Sequence, residues 1–371
     1  MKKINLRIAE LRHKKKLTQQ ELADMVGVSF QTISKWENGG AMPDITYLPV
    51  LAEYFDVSVD QLIGIVPLNE EAYIASKAGT KEFWESKSGY LLRTGNNMWN
   101  NDYMEFLITK VWKIDRPVKV LDCGCGFGCL GLLIMPYLPE GSKYTGIDMA
   151  ENLIEMGKKL FESNKLQGEF INADVYNYDA KDSFDVVICQ SVLRHLDSPE
   201  SFIRRMIEFA KNGAYIICID SNREFECDGL YIEGMDYFRL CEHAGMEKHW
   251  RTELEQQGRD YAAAIRNAHL MRKLGLKEVD VRMNDRVDFV TPQREDYEQR
   301  KRDFVEYNDW NRELTKEEKE ESIQYLLTHG ITRKEATDFC ERNTEIATFF
   351  QENPDAGYTF VRGTMISYGK K

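Results

Sequence analysis

The chain has 371 residues, 43% of them hydrophobic, enough for two domains with cores of their own. Its formal net charge of -12 argues against non-specific nucleic-acid binding by the protein as a whole, and no stretch approaches the ~20 apolar residues that a membrane span needs. Eight cysteines without a secretion signal point to reduced thiols rather than a disulfide framework, so the expectation is a soluble, cytoplasmic protein that touches no membrane.

Residues 1–65 are expected to form a first, all-α domain of short helices. The N-terminal part is locally basic: Lys2, Lys3, Arg7, Arg12, Lys14, Lys15, Lys16 and Lys35 are set against only Glu10, Glu21 and Asp24. Leu6, Ala9 and Leu11 give the first helix an apolar side, and Thr18 with Glu21 three residues on reads as a capping box. Leu22, Ala23, Met25 and Val26 make a second helix apolar, Gly27 supplies a turn, and Ser29 caps a third helix that runs through Trp36. The stretch LTQQELADMVGVSFQTISKWENG closely resembles the phage-repressor-like (XRE-type) helix-turn-helix family. That resemblance implies that Phe30, Gln31, Thr32, Ser34 and Lys35 face the major groove of a double-stranded DNA operator. It also implies that Gln19 and Asn38 touch phosphates, that Ile33 and Trp36 are core, and that a homodimer binds two half-sites. The competing reading is a helical unit that has lost DNA binding and serves docking or dimerisation.

Residues 66–80 read as a linker, with a proline, small residues and weak periodicity. Residues 81–371 then form the second domain. Its first part, 81–111, looks helical and carries aromatics at Phe83, Trp84, Tyr90, Trp99, Tyr103 and Phe106. After it strands and helices alternate: strands at 118–122, 144–148, 169–172, 184–190 and 214–220, with helices at 128–137, 151–163 and 199–211. Alternation of this kind implies a parallel sheet covered on both faces. A long helix over 254–274 is expected to lead to a strand at 278–286, and a final strand at 358–368 is expected to run antiparallel. Between those two strands, about 291–355 is a charged, helical insertion, too long for a hairpin loop and so expected to cover a pocket or form a dimer contact.

The chemistry concentrates at VKVLDCGCGFG, residues 118–128, where a buried strand runs into Gly124, Gly126 and Gly128. Glycines at that spacing let the backbone turn sharply and leave room for a ligand against the peptide groups. Acidic side chains end the next two strands at Asp148 and Asp174, where one carboxylate can accept two ribose hydroxyls and the other an adenine amino group.

Together these segments resemble the class I S-adenosylmethionine-dependent methyltransferases, most specifically over 118–221. The resemblance implies a Rossmann-like α/β fold and S-adenosyl-L-methionine as cofactor. It implies that the loop from Asp122 through Gly124, Gly126 and Gly128 lies along the methionine part, that Asp148 holds the ribose, and that Met149 packs on adenine. Asp174 and Val175 would contact the adenine edge, and Gln190 and Ser191 would line the floor near the sulfonium. Tyr90 and Arg93 would close over the cofactor or acceptor, or else simply pack on the sheet.

A glycine-rich turn also serves nicotinamide and flavin dehydrogenases, but the DxGxGxG form with Asp122 is the methyltransferase version. Cys123, Cys125 and Cys129 depart from the usual pattern, and no metal site is expected from them because no second CxxC pair or histidine spacing accompanies them. His195 in SVLRHL is the candidate catalytic base for a protonated acceptor, or else a structural histidine capping the turn. Arg194, Asp220, Arg223, Glu224 and Tyr231 also follow strand ends. The leading expectation is methyl transfer to a small molecule by a protein that also binds specific DNA. The alternative is a transcriptional regulator whose methyltransferase-like domain senses S-adenosylmethionine or a metabolite. A nucleic-acid methyltransferase is disfavoured, since QSVL stands where such enzymes carry DPPY or NPPY.

Overall fold

The computed structural model describes the chain apart from residues 1–3, 5, 66–67, 69–72, 90, 92–97 and 244, and the side chain of residue 224. Two compact units form. The first joins Met1–Ile74 with Ala244–Thr252 and Thr315–Cys340, and the second joins Ala75–His243 with Glu253–Leu314 and Glu341–Lys371.

Among the described residues of 1–65 the helices are α1 (Ile8–Lys14), α2 (Gln19–Val26), α3 (Phe30–Glu37), α4 (Tyr47–Phe55) and α5 (Val59–Leu62). The capping box is present: Thr18 Oγ1 accepts the Glu21 N–H at 3.2 Å, and the Glu21 carboxylate accepts the Thr18 N–H at 2.7 Å. Gly27 ends α2 with φ 76°, a left-handed conformation that glycine adopts without penalty. Ser29 then opens α3 by accepting the Thr32 N–H. Leu22, Ala23, Ile33 and Trp36 meet Leu51 and Phe55 in one apolar core. Beside that core Arg12 and Glu37 form a bidentate pair at 2.6 and 2.9 Å. A second core in this unit joins Ile323, Leu326, Leu327, Ile331, Ala336 and Cys340. There Tyr73 packs its ring 5.2 Å from that of His329.

The second unit is built on a seven-stranded sheet, for which β1 is Lys119–Cys123, β2 Lys143–Asp148, β3 Gly168–Asn172, β4 Phe184–Gln190 and β5 Ala210–Ser221. Two further strands belong to it, β7 (Lys277–Met283) and β10 (Thr364–Lys370), giving the order β3-β2-β1-β4-β5-β10-β7. β1 to β5 pair in parallel, and β10 runs antiparallel between β5 and β7, as expected of the last strand. Along β4, Val186 and Ile188 enter one core layer while Val187 and Cys189 enter the other. That alternation with both faces buried explains the near-continuous apolar runs of the parallel strands. Because β1 has β2 on one side and β4 on the other, the strand order reverses there, and the carboxyl ends at that point leave a crevice.

Three expectations need correction. The long helix expected over 254–274 is two helices, Met246–Gln257 and Ala263–Lys273. The break falls at Gly258, whose φ is +75° and whose added Cβ would stand 2.1 Å from the Asp197 carbonyl oxygen, so neither helix nor side chain fits. The strand expected at 358–368 is also two, β9 (Tyr358–Val361) and β10, separated at Gly363 with φ +61°. There the chain changes sheets, and β9 joins β6 (Leu230–Ile232) and β8 (Val287–Val290) in a small sheet packed on Phe304, Trp310 and Phe350. Finally, the stretch 81–111 holds separate helices Lys81–Ser86 and Asn101–Phe106, the latter ending in a π turn, with part of the intervening chain outside the described residues.

Candidate functional site

At the carboxyl end of β1 the chain turns through Gly124, Gly126 and Gly128 with φ of +75°, +55° and +76°. A side chain at Gly124 would meet Val192 Cγ2 at 2.7 Å, and one at Gly128 would meet the Phe170 ring at 2.8 Å. Gly126 differs, because a Cβ there meets nothing nearer than Leu153 at 4.0 Å. Its peptide is half-buried and the space beside it is open.

The turn is tied to the end of β2. Gly124 and Cys125 both donate N–H bonds to the Ile147 carbonyl, at 2.8 and 2.9 Å. Asp148 is held by both oxygens: Oδ2 accepts the Gly126 N–H at 2.8 Å and Oδ1 accepts the Ala150 N–H at 2.9 Å. Burial pushes the Asp148 pKa up, while the amides of Ala150, Gly126 and Met149 favour its ionised form. Each oxygen keeps a second lone pair, so a fixed carboxylate with spare acceptor capacity stands at the crevice.

A cavity of about 540 Å³ opens here, within the range for small-molecule sites. Gly124, Gly126, Asp148 and Met149 line it, as do Asp174, Val175, Gln190, Ser191 and His195. Asp174 is set by its own turn, accepting the Tyr176 N–H at 2.9 Å. Gln190 is fixed through Oε1, which accepts the Trp99 indole N–H at 2.9 Å. Tyr90 and Arg93 lie outside the described residues. Gly128 instead heads the helix Cys129–Ile134, and Asp122 stands behind the turn rather than on the cavity wall. Asp122 accepts the Tyr144 hydroxyl at 2.8 Å, and burial raises its carboxyl to about 7. Among the described residues no group of His, Cys, Asp or Glu is arranged to hold a metal ion. The thiols of Cys123 and Cys125 are buried and pushed well up by burial.

The far wall of the cavity is cationic. His195 follows β4, and its ring packs edge-on to Trp84 at 4.9 Å. Its Nε2 accepts from Arg194 Nε at 3.2 Å, and its Nδ1 stands 3.4 Å from Arg259 Nη2. Burial first, then the charges of Arg194, Arg259 and Arg223, hold the imidazole well below its usual pKa. Arg223, Glu226, Tyr261, Tyr307 and Arg362 complete this wall. Of these, Arg194 and Arg223 were visible as strand-end residues, but Tyr231 lies half-exposed on the small sheet and does not reach the cavity. Arg259 and Tyr261 from one loop, Tyr307 at the end of the helix Tyr297–Tyr307 and Arg362 between β9 and β10 carry no local signal, because only tertiary structure brings them together.

In the first unit Gln31 and Lys35 on α3 are exposed, Phe30 is 43% exposed, and Thr32 and Ser34 are part-buried. Gln19 donates to Glu37 Oε2 at 2.6 Å, and Asn38 donates to Ser34 Oγ at 3.4 Å. Ile33 and Trp36 are in the core, as expected.

A parallel sheet with one antiparallel strand second from its edge, and a glycine turn facing an acidic strand end, define the Rossmann-like class I methyltransferase fold. Residues 114–258 match the family model of the methyltransferase domain, and residues 8–62 match that of the helix-turn-helix. The chain therefore carries a class I methyltransferase domain and, N-terminal to it, an XRE-type helix-turn-helix domain. The ubiquinone biosynthesis O-methyltransferase of Thiobacillus denitrificans is 29% identical over 156 residues, covering 42% of this chain and 61% of that protein. The protein of the same name from Azoarcus sp. is 31% identical over 121 residues, covering 32% and 51%. The chain thus spans about half to two thirds of the length of these curated relatives. Among solved structures, a putative methyltransferase from Bacillus halodurans is similar at 15% identity, 73% of this chain, 98% of that one and a TM-score of 0.42. Haemonchus contortus phosphoethanolamine N-methyltransferase 2, solved in complex with S-adenosyl-L-methionine, is similar at 13% identity, 80% of this chain, 61% of that one and a TM-score of 0.43. Among the described residues no helix is long and apolar enough to cross a membrane.

Proposed function

We propose that this protein is an S-adenosylmethionine-dependent methyltransferase acting on a small-molecule acceptor, with residues 1–65 binding a DNA operator as a homodimer. The observation that carries the enzymatic reading is Asp148, held by the Gly126 and Ala150 amides with lone pairs to spare at the mouth of the cavity. When bound, S-adenosylmethionine supplies an electrophilic methyl group on sulfur. The residues present fit that group: Asp148 accepts ribose hydroxyls, and the open face at Gly126 admits the methionine part. Met149 and Val175 give apolar walls to the adenine, with Asp174 at its edge. Gln190, oriented by Trp99, and Ser191 form the floor. Asp122 supports the turn from behind through Tyr144.

In-line displacement asks the protein mainly to place the acceptor and exclude water. Trp84 and the tyrosines of the far wall do both. A hydroxyl acceptor must also lose a proton, and His195 takes it through the ring nitrogen at which the acceptor displaces a guanidinium, Arg194 at Nε2 or Arg259 at Nδ1. Its depressed pKa keeps it neutral, hence able to accept, through and below its ordinary value of 6.5. With radiolabelled cofactor and fractionated metabolites as acceptors, transfer is expected, with the acid limb of kcat/KM below pH 6.5. His195→Asn should remove that limb and lower kcat by about 10²-fold or more; an unchanged profile would remove His195 from the chemistry.

The DNA-binding reading rests on the exposed side chains of α3. A duplex selected from random-sequence DNA is expected to shift the protein in a gel, and Gln31→Ala to weaken that binding about tenfold or more. Selection that enriches no sequence would leave the helix-turn-helix as a docking module. Adding S-adenosylmethionine to the same gel tests the sensor alternative, which fails if the shift does not move.

A further inference from the structure

We propose that the methyl acceptor is an oxyanion, carrying a carboxylate or phosphate bound by Arg194 and Arg362; this rests on the methyltransferase reading of the same cavity. Four guanidinium groups reach that wall from separate parts of the chain: Arg194 after β4, Arg223 after β5, Arg259 at the break beyond Gly258, and Arg362 at the switch between β9 and β10. Two are already committed. Arg223 pairs with the buried Glu226, and Arg259 pairs with Glu253 at 2.6 Å with both side chains at most 3% exposed.

The other two are not committed in this way. Among the described residues Arg194 has no carboxylate within ion-pair distance, its Nε being spent on the His195 ring. Arg362 has, among the described residues, one carboxylate within ion-pair distance, Asp288 at 3.8 Å, which Arg286 and Arg300 already hold at 2.6 and 3.3 Å. Its buried Nε has no hydrogen-bond partner among the described residues, and its Cζ lies 4.8 Å from the centre of the Tyr307 ring and 5.1 Å from that of Phe360, which fixes its direction. Asp220 makes no ion pair with Arg194 among the described residues, although it feels that charge. It is fully buried, neither oxygen makes a well-aligned hydrogen bond, and burial lifts its carboxyl to about 7 although Arg194 and the peptides of Leu193 and Arg194 favour ionisation.

A guanidinium does not lose its proton, so burial cannot neutralise it. The buried Glu226 feels the charges of Arg223, Arg194 and Arg362 together and offsets one of them, so the wall stays cationic and is completed by an anion that arrives with the ligand. The planar fork of arginine suits carboxylate and phosphate oxygens in particular. Trp84, Tyr261 and Tyr307 flank these arginines, so a flat, aromatic acceptor bearing the oxyanion fits best.

Calorimetric titration of the full chain saturated with S-adenosylhomocysteine, using benzoate, phenyl phosphate and benzamide as probes, tests this. One oxyanion is expected to bind about tenfold tighter than benzamide. Benzoate ahead of phenyl phosphate would name the carboxylate, and the reverse the phosphate. Arg194→Gln and Arg362→Gln should each weaken the oxyanion about tenfold, leaving benzamide and S-adenosylhomocysteine affinity unchanged, and Arg194→Lys should keep part of the binding. Benzamide binding as tightly as both oxyanions, glutamine variants that leave the oxyanion untouched, or no binding of any probe at millimolar concentration would each overturn the proposal. If a glutamine variant does not fold, the wild-type ratio of oxyanion to benzamide still decides. Failure of S-adenosylhomocysteine to bind the wild type would instead overturn the methyltransferase reading, with the probe ratio then read without it.

Discussion

Replacing Asp148 with alanine is expected to reduce the affinity for S-adenosylmethionine and S-adenosylhomocysteine by at least about 100-fold. Hydrogen bonds to a charged group contribute roughly 1.5–3 kcal/mol each, and a carboxylate facing two ribose hydroxyls makes two of them. The loss has a second part, since alanine leaves the Gly126 and Ala150 N–H groups without their acceptor and frees the turn that carries the open glycine. Asp148→Asn separates the two parts. Its amide oxygen can still serve one of the backbone donors, but its NH2 must point at the other, so the asparagine variant should also bind weakly. Titration calorimetry of the three proteins with both ligands decides the matter. Affinity within about threefold of wild type for Asp148→Ala would mean that the ribose lies elsewhere and that the cavity serves another ligand.

Arg12→Met is expected to destabilise the helix-turn-helix by about 3–5 kcal/mol. The pair it breaks is nearly dry, with the Arg12 and Glu37 side chains only 8% and 4% exposed. Glu37 would keep one hydrogen bond, from Gln19, and Arg12 also closes the end of α1 through the Leu17 carbonyl. A buried carboxylate without its cation is costly, whereas replacing both partners by apolar groups is often neutral. Arg12→Met with Glu37→Leu should therefore recover most of the loss. Because the chain has two units, a single unfolding transition is a poor measure. Hydrogen exchange of the α1 to α3 amides reads the unit directly, and protection should fall by about two to four orders of magnitude at about 1.4 kcal/mol per tenfold. Unchanged protection in the single variant would show the pair to be energetically idle.

What could be read from the residues was whatever is settled locally. The turn at Gly124 to Gly128 is such a case, because each glycine there answers a backbone angle or a neighbour's ring, and the strands on either side are long enough to show their apolar runs. The capping box at Thr18 and the stop at Gly27 are likewise complete within a few residues. Of the small sheet only β9 was legible, as part of the strand expected at 358–368; β6 and β8 have at most four residues each and too few alternations to register as strands. Gly258 and Gly363 each looked like an ordinary glycine inside a periodic stretch, and only the crowding around them marks a break. The acceptor wall was the least visible part. Arginines from four separate stretches of the chain have no common motif, and their convergence exists only once the sheet has placed its ends together.

The first unit is drawn from three stretches of the chain and the second from three others that alternate with them. No single scission of the polypeptide therefore releases either unit with all of its parts: a cut after Ile74 still leaves Ala244–Thr252 and Thr315–Cys340 on the other fragment, with His329 deprived of Tyr73. A protease that nicks one loop should leave a clipped but associated molecule rather than two separable halves. For the same reason an expression fragment that starts at residue 81 is not simply the whole protein with its head removed.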